Sequence, residues 1–209
     1  SGKDLIESVN LSNKICKVIG GNNPLNYTYE LFLDDKGEKI SKSKGNGISI
    51  DEWLTYASQE SLSLFMYQSP KKAKRLHFDV IPKAVNEYIT FLEKYNQETE
   101  KEKMFDNPVW HIHSGLPPSE NIPISFGILL NLASVCNTED INVLAGFVEK
   151  YISKDQSLFP SELMKLIRFS IYYYRDFVKP NKKYRMPNDK ESEALLKLSK
   201  YLISDLNED

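Results

Sequence analysis

The distribution of helix-type and strand-type patterns along the chain places the strongest limit on its fold. Only one short apolar stretch, residues 27–33, has the length and aromatic content of a buried strand. Helical periodicity covers most of the rest, at residues 4–19, 60–68, 82–95, 123–135, 139–152, 161–178 and 191–206. A further helix is predicted from residue 51, because Ser49 and Glu52 have the spacing of a capping box. We therefore predict a mainly α protein.

The early strand and helices suggest how the chain is divided. One helix and one strand cannot bury a sheet, so the N-terminal part of the chain that contains them looks like the edge of a larger α/β domain. We assign residues 1–57 to that α/β remnant and residues 58–209 to an all-α region. Because the chain starts with Ser1 rather than Met, we expect it to be part of a longer protein. Residues 96–107 are highly charged with few apolar anchors, which predicts a hinge or flexible loop.

Composition excludes several classes of protein. The 209 residues include 27 basic and 29 acidic side chains, giving a net charge of −2, which argues against a generally basic nucleic-acid coat. An apolar content of 41% is enough to build a core. No apolar run approaches the ~20 residues that span a bilayer, and no secretory signal is evident. We therefore expect a cytoplasmic protein without membrane contact.

Metal ligands are sparse in the sequence. The two cysteines, Cys16 and Cys136, are far apart and neither belongs to a CxxC pair. His111 and His113 alternate along a segment, residues 109–113, that we expect to be extended. No third ligand lies near them in the sequence, so we favour a hydrogen-bonded structural pair of histidines and predict no metal site.

A lysine-rich segment lies between the predicted strand and the capping box. Residues 35–47 hold four lysines, at Lys36, Lys39, Lys42 and Lys44. Such a composition is common in solvated surface loops, but the order of residues here suits a polyphosphate. Two ammonium groups spaced by three, Lys39 and Lys42, can converge on one anion. The hydroxyls of Ser41 and Ser43 can donate to its oxygens, and Ile40 can anchor the loop in the core.

The run Lys39-Ile40-Ser41-Lys42-Ser43 resembles the KMSKS signature of class I aminoacyl-tRNA synthetases, with Ile in the second position. Similarity to the class I lysyl-tRNA synthetases in particular is carried by the run from residue 29 through residue 54 and by residues 64–68, 74–79 and 108–115. It extends from about residue 2 to the stretch 177–180, which is most of the chain. The resemblance implies ATP-dependent activation of lysine to lysyl-adenylate, with Mg²⁺ accompanying ATP, and transfer of lysine to tRNA-Lys. Lys42 and Lys39 are then the implied catalytic, ATP-binding cations. Ser41 and Ser43 are implied to shape the loop or donate to phosphate.

The sequence departs from the family pattern in one respect. The family also requires a HIGH-type motif, the first strands of a Rossmann-like nucleotide-binding domain and a lysine pocket, all upstream of the lysine-rich segment. None of these is present in the chain, whose three histidines all follow that segment. The resemblance therefore implies a C-terminal fragment that retains the lysine-rich loop and a helical tRNA-binding region. Such a fragment is expected to be inactive alone.

Two stretches with an excess of positive charge are predicted to contact tRNA. The first contains Lys71, Lys72, Lys74 and Arg75. The second contains Arg168, Arg175, Lys182 and Lys183. Isolated charge runs are more often solvated helix faces, but the synthetase resemblance favours contact with tRNA phosphates. We assign the first stretch to the inner side of the tRNA and the second to the anticodon arm, and the two assignments are interchangeable.

Two other interpretations of the sequence stay open. The chain could be a stand-alone helical RNA-binding or protein-interaction module in which the lysine-rich loop is an incidental basic turn. It could also be a fragment of a glutamyl-type class I synthetase, which would use the same ATP chemistry on a different amino acid.

Overall fold

The computed structural model describes residues 2–41, 43–119, 122–152 and 161–205 of the chain, and it is mainly α-helical, as predicted. Its α-helices are α1 (Ile6–Val18), α2 (Ile50–Tyr56), α3 (Gln59–Tyr67), α4 (Ile81–Gln97), α5 (Lys101–Asp106), α6 (Pro108–Ile112), α7 (Phe126–Cys136), α8 (Ile141–Tyr151), α9 (Ser161–Tyr173) and α10 (Asp189–Asp205). The short strands β1 (Phe32–Leu33) and β2 (Lys74–Arg75) pair in parallel. In the described part of the chain, no helix combines the length and apolar character required to cross a membrane.

The strand prediction was only partly right. Of residues 27–33, only Phe32 and Leu33 form a strand, and their partner β2 lies within the first basic stretch, where no strand was expected. The Leu76 N–H extends the pairing by donating to the Leu33 carbonyl at 2.8 Å. A two-residue strand shows no alternation of polar and apolar residues, so its sequence carries no recognisable pattern.

The start of α2 is confirmed as a capping box. The Ser49 hydroxyl accepts the Glu52 N–H at 3.2 Å, and the Glu52 carboxylate accepts the Ser49 N–H at 2.7 Å. One turn later Trp53 is fully buried, and its indole N–H donates to the Ser61 hydroxyl at 3.2 Å. The helix that follows the lysine-rich segment is therefore fixed at its start by the cap and at its centre by the core.

The predicted hinge at residues 96–107 contains the short helix α5. Asn107 then begins α6, because its side chain accepts the Val109 N–H at 2.9 Å and Pro108 occupies the first helical position. Residues 109–113 were predicted to be extended, and this was wrong, since the cap and the proline start a helix there. The sequence pattern missed α6 because it is only five residues long.

His111 and His113 make hydrogen bonds to different partners. The His111 Nε2 atom lies 2.8 Å from the Phe105 carbonyl oxygen. The His113 Nε2 atom lies 3.1 Å from the Tyr88 hydroxyl. The two imidazoles thus join separate parts of the fold.

One continuous apolar cluster joins the helices on both sides of residue 57. It includes Trp53 of α2, Leu144 of α8 and Ile167 of α9. Ile40 of the lysine-rich segment and Ile48, which follows that segment, pack against it. The division into residues 1–57 and 58–209 stays a prediction. Because the core crosses that position, the lysine-rich region is anchored directly on the helical part.

Helix α9 continues into a π-helical turn, Tyr174–Val178, within the predicted helix at residues 161–178. Tyr173 and Tyr174 are buried, whereas Tyr172 is partly exposed. The Tyr174 hydroxyl donates to the Asn137 side-chain oxygen at 2.7 Å. Asn137 itself ends α7 in the left-handed conformation, so this bond joins the ends of two helices.

Changing Tyr174 to Phe is expected to lower the free energy of unfolding by about 1 kcal/mol, because the variant lacks the hydroxyl that donates to Asn137 and accepts from the Lys182 ammonium at 3.3 Å. Urea denaturation of the 209-residue chain measures the change. Tyr172→Phe is the matched control on the same helix. Equal losses of stability for the two variants would contradict a role for the Tyr174–Asn137 bond.

Candidate functional site

The lysine-rich loop, residues 35–47, begins at a buried carboxylate. Asp34 directly follows β1 and is 4% exposed. One of its oxygens accepts the N–H groups of Lys36 at 3.0 Å and Glu38 at 2.7 Å, and the other accepts the Asn46 side-chain amide at 2.7 Å. The bond from Asn46, supported by the two backbone bonds, lowers the pKa of Asp34 below its ordinary value of 3.8. Asp34 is therefore ionised at neutral pH and fixes the first turn of the loop.

Asn46 joins the two arms of the lysine-rich loop. Besides its bond to Asp34, its amide nitrogen donates to the Lys39 carbonyl at 3.3 Å, and its amide oxygen accepts the Ser41 N–H at 3.0 Å. The arms approach so closely that a Cβ atom on Gly47 would lie 2.4 Å from the Ile40 side chain. Any residue larger than glycine at position 47 would therefore collide with Ile40. The Asn46 side chain holds the two arms of the loop together.

Sequence analysis missed the structural roles of Asp34 and Asn46. A local signal exists for Asp34, because Asp at the first position of a turn commonly accepts backbone N–H groups two residues on. No comparable signal marks Asn46, whose partner Asp34 is twelve positions earlier in the chain. Its role depends on the tertiary arrangement of the loop.

Two lysines and two serines of the loop contact other side chains, whereas Ile40 packs inward. Lys39 forms an ion pair with Asp4, just before α1, and Lys44 pairs with Glu38 at 3.1 Å. The hydroxyl oxygens of Ser41 and Ser43 lie 3.4 Å apart. Ile40 packs against the core, as expected from the sequence, and its N–H donates to the Phe32 carbonyl at 3.1 Å.

Lys42, the residue with the strongest predicted role, lies outside the described residues. Its neighbours Ser41 and Ser43 are described, and the N–H groups of Lys44 and Gly45 both donate to the Ser41 carbonyl, each at 3.2 Å. Of the five-residue motif at residues 39–43, the described residues supply one ammonium group, that of Lys39, and the hydroxyls of Ser41 and Ser43. The Lys39 ammonium is held by the exposed carboxylate of Asp4, which an anionic ligand can replace.

Two of the lysines predicted to contact tRNA point inward. The Lys74 ammonium donates to the carbonyls of Phe65 and Gln68 at the end of α3, the latter at 2.6 Å, and burial lowers its pKa. The Lys182 ammonium donates to the Ser134 carbonyl in the last turn of α7. Positive charge at a helix C-terminus satisfies carbonyls that lack a partner within the helix. Both lysines therefore stabilise helix ends.

The arginines Arg75 and Arg175 of the basic stretches are paired with neighbouring carboxylates. Arg75 pairs with Asp79, and Arg175 donates two bonds to Asp176, at 2.7 and 2.9 Å. Arg175 also lies over the Tyr172 ring, 5.3 Å from its centre. Both arginines are exposed, and phosphate contact would require them to exchange these partners.

The remaining members of the two basic stretches are exposed on the surface. They are Lys71, Lys72, Arg168 and Lys183. Among the described ranges, none of the four makes an ion pair or a hydrogen bond through its side chain. Within that part of the chain, these four cations can meet a polyanion without breaking an existing bond.

Comparison with known proteins identifies the family. A family model described as tRNA synthetases class I (K) matches residues 1–116, which is more than half of the chain and includes the whole lysine-rich loop. The chain belongs to the class I lysyl-type tRNA synthetases. This confirms the resemblance inferred from residues 39–43 and from the segments on either side of them.

Relatives of this synthetase chain carry the name lysine–tRNA ligase. The protein from Rickettsia africae (strain ESF-5) is 52% identical over 195 residues, which cover 93% of this chain and 37% of the relative. The Rickettsia felis protein has the same identity and coverage. The Rickettsia akari protein is 50% identical over 208 residues, covering 99% of this chain and 39% of the relative. The synthetase chain thus spans less than two-fifths of the length of these curated relatives.

Proposed function

We propose that this chain supplies the lysine-rich loop and a tRNA-binding helical region of a lysine–tRNA ligase. The reaction activates lysine with ATP and transfers it to tRNA-Lys. The main observation in support is the loop at residues 35–47, which is closed by Asp34 and Asn46 and lies within the region matched by the family model. The names of the relatives support lysine as the amino acid.

Charge development during activation explains the use of such a loop. The lysine carboxylate attacks the α-phosphate of ATP, forming lysyl-adenylate while pyrophosphate leaves with Mg²⁺. Negative charge grows on the phosphate oxygens, and fixed positive charge beside them lowers the barrier. In this proposal Lys39 and Lys42 supply that charge. The hydroxyls of Ser41 and Ser43 donate to phosphate oxygens.

The ion pair between Lys39 and Asp4 competes with phosphate binding. Both side chains are about half exposed, and exposed pairs contribute only about 0–1 kcal/mol, so a polyphosphate can displace the carboxylate. Asp4 therefore holds Lys39 in place until the ligand arrives, and it also weakens ligand binding.

Changing Asp4 to Asn is expected to raise the affinity of the chain for inorganic pyrophosphate by about two- to fivefold, because Lys39 no longer has to release a carboxylate. Isothermal titration calorimetry measures the affinity. Glu7→Gln, an exposed acidic residue on α1, is the control for the general change in charge. An equal gain from both variants would mean that the Lys39–Asp4 pair has no specific role.

The four cations that lack partners within the described ranges are the best-placed residues for binding tRNA. Changing Lys71 and Lys72 to Gln is expected to reduce the salt dependence of tRNA binding, with the slope of log affinity against log salt falling by about 0.7–0.9 for each phosphate that is no longer neutralised. Fluorescence anisotropy at several salt concentrations gives the slope. Lys197→Gln is the control, because Lys197 is paired with Glu193 on α10. An unchanged slope for the double variant would remove Lys71 and Lys72 from the tRNA interface.

Titration of the chain with tRNA-Lys and with a non-cognate tRNA tests the proposed tRNA-binding role. Tighter binding of tRNA-Lys that persists as salt rises is the expected result, since specific contacts depend less on salt than phosphate contacts do. Equal binding of both tRNAs that fades with salt would place lysine identity elsewhere in the enzyme. Absence of binding would contradict the tRNA-binding role.

A further inference from the structure

A cleft of about 560 Å³ opens between the start of α3, the middle of α4, the segment after α6 and helix α9. Its apolar floor is formed by Val85, Ile89, Leu92, Leu166 and Phe169. The described residues that line the cleft do not include any part of the lysine-rich loop. The volume lies within the range of about 300–1,000 Å³ typical of sites for small organic molecules.

One wall of the cleft carries a buried hydrogen-bonded pair. Tyr88 is 8% exposed, and its hydroxyl lies 3.1 Å from the His113 Nε2 atom. Burial raises the pKa of Tyr88, and the carboxylates of Glu60 and Glu162 reinforce the effect. Burial lowers the pKa of His113, so this pair is uncharged at neutral pH. The wall therefore offers polar atoms without a positive charge.

The carboxylates at the cleft differ in how they are paired. Glu162 binds the Lys165 ammonium at 2.6 Å. Glu60, in the first turn of α3, is partly buried, and its carboxylate makes no hydrogen bond or ion pair within the described ranges. Its charge acts on both Tyr88 and His113, which places it beside the polar wall. Among the residues that the structure describes, the cleft thus combines an apolar floor with a carboxylate that has no counter-ion.

We propose that this cleft binds a small organic cation, with its ammonium group at Glu60 and its apolar body against α4 and α9. We choose a cation as the ligand because a partly buried carboxylate without a counter-ion repels anions and stabilises a protonated amine. The apolar floor of the cleft favours a ligand whose remaining part is hydrocarbon, because burying that part removes apolar surface from water. The proposal is independent of the ligase function, and failure of either leaves the other unaffected.

Three probes of the same shape test the requirement for positive charge. The 209-residue chain is titrated with 4-phenylbutylammonium, with the neutral 4-phenylbutanol and with the anionic 4-phenylbutyrate. The ammonium is expected to bind at least about tenfold more tightly than the alcohol, because it can form a charge-assisted hydrogen bond to the carboxylate. The anionic acid is expected to bind more weakly than the alcohol. NMR chemical-shift changes are expected at Tyr88 and His113. Equal binding of the three probes, or absence of ammonium binding, would overturn the proposal.

Two matched variants locate the charge. Glu60→Gln keeps the shape of the side chain and is expected to weaken ammonium binding about tenfold, while binding of the alcohol stays the same. Glu149→Gln, on the exposed surface of α8 outside the cleft, is expected to leave both affinities unchanged. Circular dichroism verifies that both variants are folded. Equal affinities of the two variants for the ammonium would overturn the assignment of Glu60.

Discussion

Replacing Lys42 by Ala is expected to slow lysine-dependent ATP–pyrophosphate exchange by about 100- to 1,000-fold, the usual effect of removing one group that stabilises charge in the transition state. The test uses a chimera in which this chain replaces the matched 208 residues of the Rickettsia akari ligase. The expectation rests on the position of Lys42 in the run at residues 39–43, as the family resemblance implies. Lysine binding is expected to change little, because the loop acts on ATP.

Lys44→Ala is the matched control for Lys42. Lys44 is also a lysine of the loop, but it lies outside the five-residue motif and pairs with Glu38. Its removal is expected to change the exchange rate by no more than about threefold, in keeping with the small contribution of an exposed ion pair. An unchanged single-turnover activation rate for the Lys42 variant would remove Lys42 from the mechanism.

Replacing Asp34 by Ala is expected to slow adenylate formation by roughly 10- to 100-fold, because misplacing a catalytic group by about 1 Å can have an effect of that size. Asp34 holds two backbone N–H groups and the Asn46 amide, so its removal releases both arms of the loop. The effect is expected in the rate of activation by the chimera, with tRNA affinity unchanged. Stopped-flow measurement of a single turnover gives the activation rate, and fluorescence anisotropy gives the tRNA affinity.

Asp35→Ala is the control for Asp34, since Asp35 is exposed and belongs to the same turn. It is expected to change the rate by less than about twofold, as most surface substitutions have small effects. A double-mutant cycle with Asn46→Ala then tests the bond directly. Strongly non-additive effects are expected for residues in one hydrogen-bond network. Fully additive effects would contradict closure of the loop by the Asp34–Asn46 pair.

Most helices could be predicted because their stability depends on patterns that are local in the sequence. The capping box at Ser49 and Glu52 and the apolar face of α4 are examples, and both are present in the structure. The short strands and α6 could not be predicted, since two to five residues are too few to show a period.

The candidate site was predicted from its residue types, but its architecture was not. The order of Lys39, Ser41 and Ser43 indicated a phosphate-binding loop. The positions of Asp34 and Asn46 depend on contacts between the two arms, which no local pattern encodes. Lys74 likewise resembled a surface cation in the sequence, whereas its burial depends on where α3 ends in space.

Amino-acid activation by the unmodified chimera tests the proposed ligase function. Exchange of pyrophosphate into ATP is measured with lysine, with glutamate and with the other amino acids, and charging of tRNA-Lys is measured in parallel. We expect lysine-dependent exchange and charging within about tenfold of the Rickettsia akari enzyme, since the replaced segment is 50% identical and retains the loop. A folded chimera that fails to activate lysine, or that activates glutamate instead, would contradict the proposed function.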